Sequence, residues 1–228
     1  DNDGHLDLYV ANYQGGNFEG IRQKIVSGYF SDPGVTAIGI SWPGDNLDSY
    51  EDGVKPDEHH CGLESSSMQT AATRFTAFEG NWPVNLDQAE SRFGTLAELR
   101  AMVDTAHTHG IRVLLDFNPN HVHIDSPFYQ TYKHHYFNWP DHGSEHLCQN
   151  VGLAEPETCW QTSYLADLDY RSPDAVEAMV DMTIDWIVKS GVDGLRLDGL
   201  THINQAFLSR LRERLASELE STGTVFYL

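Results

Sequence analysis

The chain has 228 residues, 40% of them hydrophobic, with 14 basic against 34 acidic side chains and a net charge of −20. That length suits one domain, or one domain with an excursion, and the apolar content supports a sizeable core, which excludes a disordered chain. The charge repels phosphates and so excludes nucleic acid as a partner, and no run of roughly 18 apolar residues is present to span a membrane.

A neutral substrate or a cation suits such a surface. No signal peptide opens the chain. Asp1 begins abruptly and Leu228 falls inside an apolar run, so the sequence reads as an excised piece.

Residues 6–13 have strand composition, with Leu6, Leu8 and Val10 alternating. The acidic cluster before them, Asp1, Asp3 and Asp7, can wrap a cation or form a solvated turn. It is not an EF-hand, because Gly4 and Asn12 stand at the wrong positions. A helix is predicted over about 18–27. Residues 34–42 then form a nearly continuous apolar run, as strands buried on both faces do. Residues 43–92 read as polar loop. Thr95 with Glu98 three positions on forms a capping-box pattern for a helix to about 109, stopped by Gly110.

Residues 111–117 are the next buried strand, and 119–165 form a long excursion rich in His, Pro, Asn and aromatics. Ser172-Pro173 starts a helix that ends near Gly191. Residues 192–198 form a fourth strand, 204–220 a helix, and 224–228 the beginning of a fifth strand. Strand–helix alternation of this kind implies a parallel sheet with right-handed crossovers. A doubly wound sheet and a (β/α)8 barrel are the two solutions. Residues 13–18 are not a G-x-G-x-x-G loop, which weakens the nucleotide-binding solution.

Both folds gather their chemistry at the C-terminal ends of the strands. The third strand ends in Asp116-Phe117-Asn118-Pro119-Asn120-His121, and the fourth in Gly194-Leu195-Arg196-Leu197-Asp198 followed by His202. Arg196 and Asp198 are two apart on a strand and share a face, so the guanidinium should hold the carboxylate ionised, as a nucleophile or as a structural pair.

Cys148 and Cys159 flank a short Gly-, Pro- and Glu-containing segment that a disulfide could close, with two reduced thiols as the alternative; Cys61 has no evident partner. Three cysteines exclude a four-thiolate zinc site. The pairs His59-His60 and His134-His135 lack H-E-x-x-H spacing and read as loop histidines.

Taken together, the motifs Asp116-x-x-x-Asn120-His121, Gly194-x-Arg196-x-Asp198-x-x-x-His202 and Leu165-Ala166-Asp167-Leu168-Asp169 resemble the α-amylase family in order and spacing. So do Gly80-Asn81-Trp82-Pro83 and Arg92-Phe93-Gly94-Thr95. The resemblance implies a partial (β/α)8 TIM barrel: residues 1–118 as its first part, 119–165 as a short inserted B domain, and 166–228 as its continuation. It implies a retaining glycosidase acting on α-1,4-glucan, with Asp198 as nucleophile and Arg196 as its ionic partner. By the same resemblance His121, His202 and Asp116 belong to the substrate site, and Asn120, Asp167 and the main chain of His202 to a calcium site. Asn81 stands where the family places a sugar-stacking Tyr. Trp82 or Phe78 is the candidate replacement, with core packing as the other role for Trp82.

The family's acid Glu and stabilising Asp lie beyond residue 228, so the piece alone is expected to be inactive, with open strand edges. A glycosyl-transferring or α-1,6-acting relative shares the same nucleophile, and a non-catalytic sugar-binding homologue is the alternative of a different class. Calcium and a disulfide together imply a secreted or periplasmic protein; oligomeric state is left open.

Overall fold

Three short aliphatic runs become three parallel strands at the centre of the structure, a computed structural model that describes residues 16–52, 74–76, 80–151, 154–220, 223 and 225–228. The predicted first strand, the acidic cluster before it, His59-His60, Cys61 and Phe78 lie outside the described residues.

Helix α1 (Phe18–Val26) starts where Asn17 accepts a hydrogen bond from the Gly20 amide at 2.8 Å. Strand β1 (Ala37–Ile40) follows and is buried throughout. The segment expected to be loop instead carries β2 (Gly44–Asn46), β3 (Tyr50–Asp52), β4 (Arg74–Thr76) and β5 (Pro83–Ala89), paired antiparallel as β2–β5 and β3–β4. The β2–β5 pair is anchored by buried polar groups. Asn46 accepts from the Trp82 amide at 2.8 Å, and Glu90 accepts from the Asn46 amide at 3.2 Å and from the Arg92 guanidinium at 2.8 and 2.6 Å. Groups satisfied in this way can be buried without the cost of an orphaned donor or acceptor.

The capping box is present as expected. Thr95 accepts from the Glu98 amide, and the Glu98 carboxylate accepts from the Thr95 amide at 2.7 Å, opening α2 (Leu96–Thr108). Leu99, Met102, Val103 and Ala106 make its buried stripe, the 3–4 spacing of an amphipathic helix. Next come β6 (Arg112–Phe117), β7 (His121–His123), α3 (Pro127–Tyr136), α4 (Cys148–Val151) and β8 (Leu165–Asp167). Helix α5 (Pro173–Ser190) begins at a Ser172 cap and ends at Gly191 in the left-handed region, φ 73°. After β9 (Gly194–Leu197), α6 (Gln205–Arg214) runs into a π-helical turn, Leu215–Leu219, where the sequence predicted continuous helix.

The central sheet has the order β1–β6–β9, all parallel. The fifth strand expected over 224–228 is seen as one bridge: Tyr227 accepts from the Leu195 amide at 2.9 Å and donates to Asp193 at 3.0 Å. A Cβ on Gly194 would stand 2.7 Å from the Tyr227 carbonyl oxygen, so glycine is required for this approach. Strand order thus follows chain order with no reversal among the described strands, as a barrel needs and as a topological switch point would not give. Trp42 lies between Phe117 and Trp186, at ring separations of 4.6 and 5.0 Å, locking the sheet to α5.

The 119–165 excursion is closed at its ends by the antiparallel pair β7–β8, with His121 opposite Asp167. Its Tyr129, Phe137 and Trp160 share one hydrophobic core with the central strands. Cys148 and Cys159 are joined as a disulfide. Among the described residues no helix is long and apolar enough to cross a membrane.

Candidate active site

Parallel pairing of β6 with β9 sets Asp116 directly beside Arg196. The guanidinium Nη1 donates to both Asp116 oxygens, at 2.6 and 2.8 Å, while Nη2 stands 3.7 Å from Asp198. Arg196 is therefore shared, and its closer partner is Asp116, where the sequence pointed to Asp198. An i, i+2 argument sees one strand only; the stronger contact comes from the neighbouring strand in register. The Asp116 hydrogen bonds, with its charge, raise the Arg196 pKa, and Asp198 adds to the effect.

Asp198 sits just past the end of β9. Its amide donates to the Phe117 carbonyl at 2.9 Å, and its carboxylate accepts from the Gly199 amide at 2.9 Å. The Asp198 side chain is 50% exposed, so a carboxylate oxygen is held at the sheet edge yet open to a ligand. Ser41, Asp116 and Arg196 line a small depression with Leu114 and Leu115.

His121 is on the same rim but closed off. Nδ1 lies 3.3 Å from the Asn120 amide nitrogen, which can only donate, so Nε2 carries the proton and donates to the Asn81 carbonyl at 2.9 Å. Burial lowers its pKa to about 4, against the Asn81 hydrogen bond; His202 lowers it further and Asp198 raises it. This geometry makes His121 a clamp on the Asn81 main chain, where the sequence suggested a free donor to a sugar.

Trp82 takes the core-packing role of the two expected for it: its ring fills a satellite core with Tyr164 and Leu165, 5.0 Å from the Tyr164 ring. Asn81 beside it is exposed.

Behind this rim lies a second cluster. Asp167 is fully buried, with Oδ2 accepting from Asn138 at 2.8 Å. Its Oδ1 and the Oδ1 of Asn120 have no hydrogen-bond partner. Burial pushes the Asp167 carboxyl well above the ordinary carboxylate range, against hydrogen bonds from Asn138 and Asn120. Two orphaned buried oxygens, one amide and one carboxylate, on segments tied by the Leu168 amide donating to the Asn120 carbonyl at 2.9 Å, are of the types a hard cation takes. The Asn138 amide also reaches the Glu157 carbonyl at 3.4 Å, bringing the main chain of 154–159 to the same place. Nothing in the residue types signalled that approach.

His202 lies close enough to His121 to lower its pKa, with its own Nδ1 2.7 Å from the Pro156 carbonyl. Cys148, Cys159 and His202 are the one grouping of three metal-ligand side chains among the described residues, but its sulfurs are spent in the disulfide. His134 and His135, expected in a loop, lie instead in the last turn of α3, where His134 faces Asp141 at 3.7 Å in a surface pairing.

The family model described as alpha amylase, catalytic domain, matches residues 2–220. A cyclomaltodextrin glucanotransferase of Geobacillus stearothermophilus is 30% identical over 230 residues, covering 95% of this chain and 29% of that protein. One of Paenibacillus macerans is 29% identical over 204 residues, covering 84% and 26%. Among solved structures, an alpha-amylase of Anoxybacillus superimposes with a TM-score of 0.70 at 23% identity, covering 95% of this chain and 40% of its own. That of Geobacillus thermoleovorans gives 0.65 at 24%, covering 91% and 39%. The chain thus spans just over a quarter of the length of these curated relatives. Its parallel strands in chain order are part of the barrel these neighbours share.

Proposed function

From the premise that this chain belongs to the alpha-amylase catalytic-domain family, we propose that it carries the nucleophile half of an α-glucan-acting active site. The observation that carries the reading is Asp198: a carboxylate at a strand end, open to ligand, beside a guanidinium that Asp116 holds in place. In the retaining mechanism, Asp198 attacks the anomeric carbon while the glycosidic bond breaks and a general acid protonates the departing sugar oxygen; water then attacks the same carbon and releases Asp198 from the covalent glycosyl-enzyme. Arg196 faces the carboxylate at 3.7 Å, and Asp116 orients Arg196. His121 shapes the rim through Asn81, and His202 contributes from the far side.

Asn120 and Asp167 fit a calcium ion, with the main chain of His202 as a further donor implied by the family. The ion would neutralise the buried carboxylate and tie the 119–165 excursion to the barrel. The disulfide supports a destination outside the reducing cytosol.

The test uses a 5-fluoro-α-maltosyl fluoride. Fluoride leaves without protonation, so the label reports the nucleophile alone: the C1–F bond breaks, a bond from C1 to Asp198 forms, and fluoride departs. Mass spectrometry should find one adduct on the peptide bearing Asp198, absent in Asp198→Asn. No adduct, or one elsewhere, sinks the proposal.

The relatives named glucanotransferases favour a second reading, in which a sugar hydroxyl rather than water opens the same intermediate. In labelled protein that also carries the family's acid–base Glu, adding maltose should then speed loss of the adduct with a transfer product, where a hydrolase releases only the free sugar.

A further inference from the structure

His202 is held by the segment around Pro156. A carbonyl oxygen only accepts, so the 2.7 Å contact with Pro156 requires the proton on Nδ1. The neutral ring then keeps Nε2 as an acceptor, the opposite of the tautomer that free imidazole side chains favour. The Pro156 carbonyl lies within the stretch closed by Cys148–Cys159, and both sulfurs rest against the same ring nitrogen at 4.0 and 3.9 Å. Glu157, the next residue, accepts from Asn204 Nδ2 at 2.6 Å, and Asn204 is the cap of α6.

The other end of the stretch is fixed to the core. The Cys148 amide donates to the Trp160 carbonyl at 2.8 Å, and the buried Trp160 ring donates to the Asn138 carbonyl at 2.7 Å. The same ring lies flat against Gly143, where an added Cβ would come within 2.3 Å.

We propose that the disulfide-closed stretch is a strap that positions His202, fixing its tautomer so that Nε2 accepts a hydroxyl from a ligand held beside Asp198. The strap acts through the Pro156 carbonyl; Cys148, Cys159 and Glu157 are positioning residues. The identity of the hydroxyl as a glucan's rests on the proposed function, and the tautomer does not.

The decisive measurement is the imidazole nitrogen spectrum at roughly pH 8.5, about two units above the ordinary imidazole pKa. A His202→Gln variant assigns the resonances. The wild type should show Nδ1–H at His202, and Cys148→Ser/Cys159→Ser should move the ring towards Nε2–H. The dissociation constant for maltoheptaose should rise about five- to tenfold, the scale of one hydrogen bond to ligand.

An unchanged His202 tautomer in the folded double variant overturns the proposal. Near-ultraviolet circular dichroism checks folding. If that variant does not fold, Glu157→Ala keeps the disulfide and frees the strap from Asn204; a smaller shift in the same direction is expected, and no shift overturns the proposal. A tautomer that responds in a protein indifferent to maltoheptaose keeps the strap and removes the glucan reading. The reverse pattern keeps the glucan reading and removes the strap.

Discussion

Asp198 and Asp167 are carboxylates at the C-terminal ends of two short strands, and their surroundings are opposite. Asp198 is half exposed, shares a guanidinium with Asp116 and is held mainly by its backbone. Asp167 is wholly buried and has one oxygen without a partner. A charge left at the solvent edge needs only an orienting neighbour. A charge sealed inside needs a full set of partners, and an unpaired one costs several kcal/mol. The first arrangement is suited to chemistry and the second to holding an ion, so the two sites should fail in different ways.

The largest expected effect lies at the exposed site. Arg196→Ala removes the charge from between Asp116 and Asp198, and the rate of adduct formation at Asp198 should fall about a thousandfold, the scale of a lost electrostatic stabiliser. Thermal stability should change little, because the side chain is half exposed. Arg196→Lys should not restore the rate, since a single ammonium nitrogen cannot stand against Asp116 and face Asp198 at once, as Nη1 and Nη2 do. A large fall in melting temperature with the rate preserved would reverse the assignment of the two sites.

The buried site should show the converse. Calcium at a hundred times its dissociation constant should add about 2.7 kcal/mol of stability. Asp167→Asn should abolish that response, because the neutral amide removes the charge the ion would meet. Calorimetric melts with calcium and with chelator decide it. A calcium response that survives the substitution places the ion elsewhere.

The contrast also separates what was legible in the sequence from what was not. Thr95 with Glu98, Ser172 with Pro173, and the aliphatic runs of β6 and β9 were readable because local pattern determines them. So were Asp116, Asp198, Asn120 and Asp167 as residues of note. Their partners were not, because those are chosen across the chain. Arg196 prefers Asp116 through strand register. Trp82 is turned into a small core by Tyr164, 82 positions on, and His121 is closed by Asn81. The β2–β5 pair escaped because Gly44-Asp45-Asn46 has no hydrophobic alternation; buried Asn46 and Glu90 hold it instead.

Glu90 gives a prediction midway between the two aspartates: a buried carboxylate that does have its cation. Burial pushes its pKa up, but hydrogen bonds from Arg92 and from the Asn46 amide outweigh this and hold it below the ordinary value. A depressed folded-state pKa means the stabilisation is present above the unfolded carboxylate value, near pH 4.5, and is lost as pH falls through the folded one. Glu90→Gln should cost about 2 kcal/mol at pH 7 and flatten the acid limb of the stability profile. Equal acid sensitivity in the variant and the wild type would mean that the Glu90–Arg92 pair contributes nothing.

The smallest effect belongs to the frame alone. Thr95→Ala removes the cap of α2 and should cost about 1 kcal/mol. Thr95 is exposed, on a helix that packs its buried stripe into the core. The adduct rate at Asp198 should therefore equal that of the wild type wherever the variant is folded. Denaturant midpoints and labelling rates on one sample test both halves. If this substitution slowed labelling in proportion to the lost stability, the site would depend on the frame's total stability. The division between a rigid frame and an independently organised strand-end site would then fail.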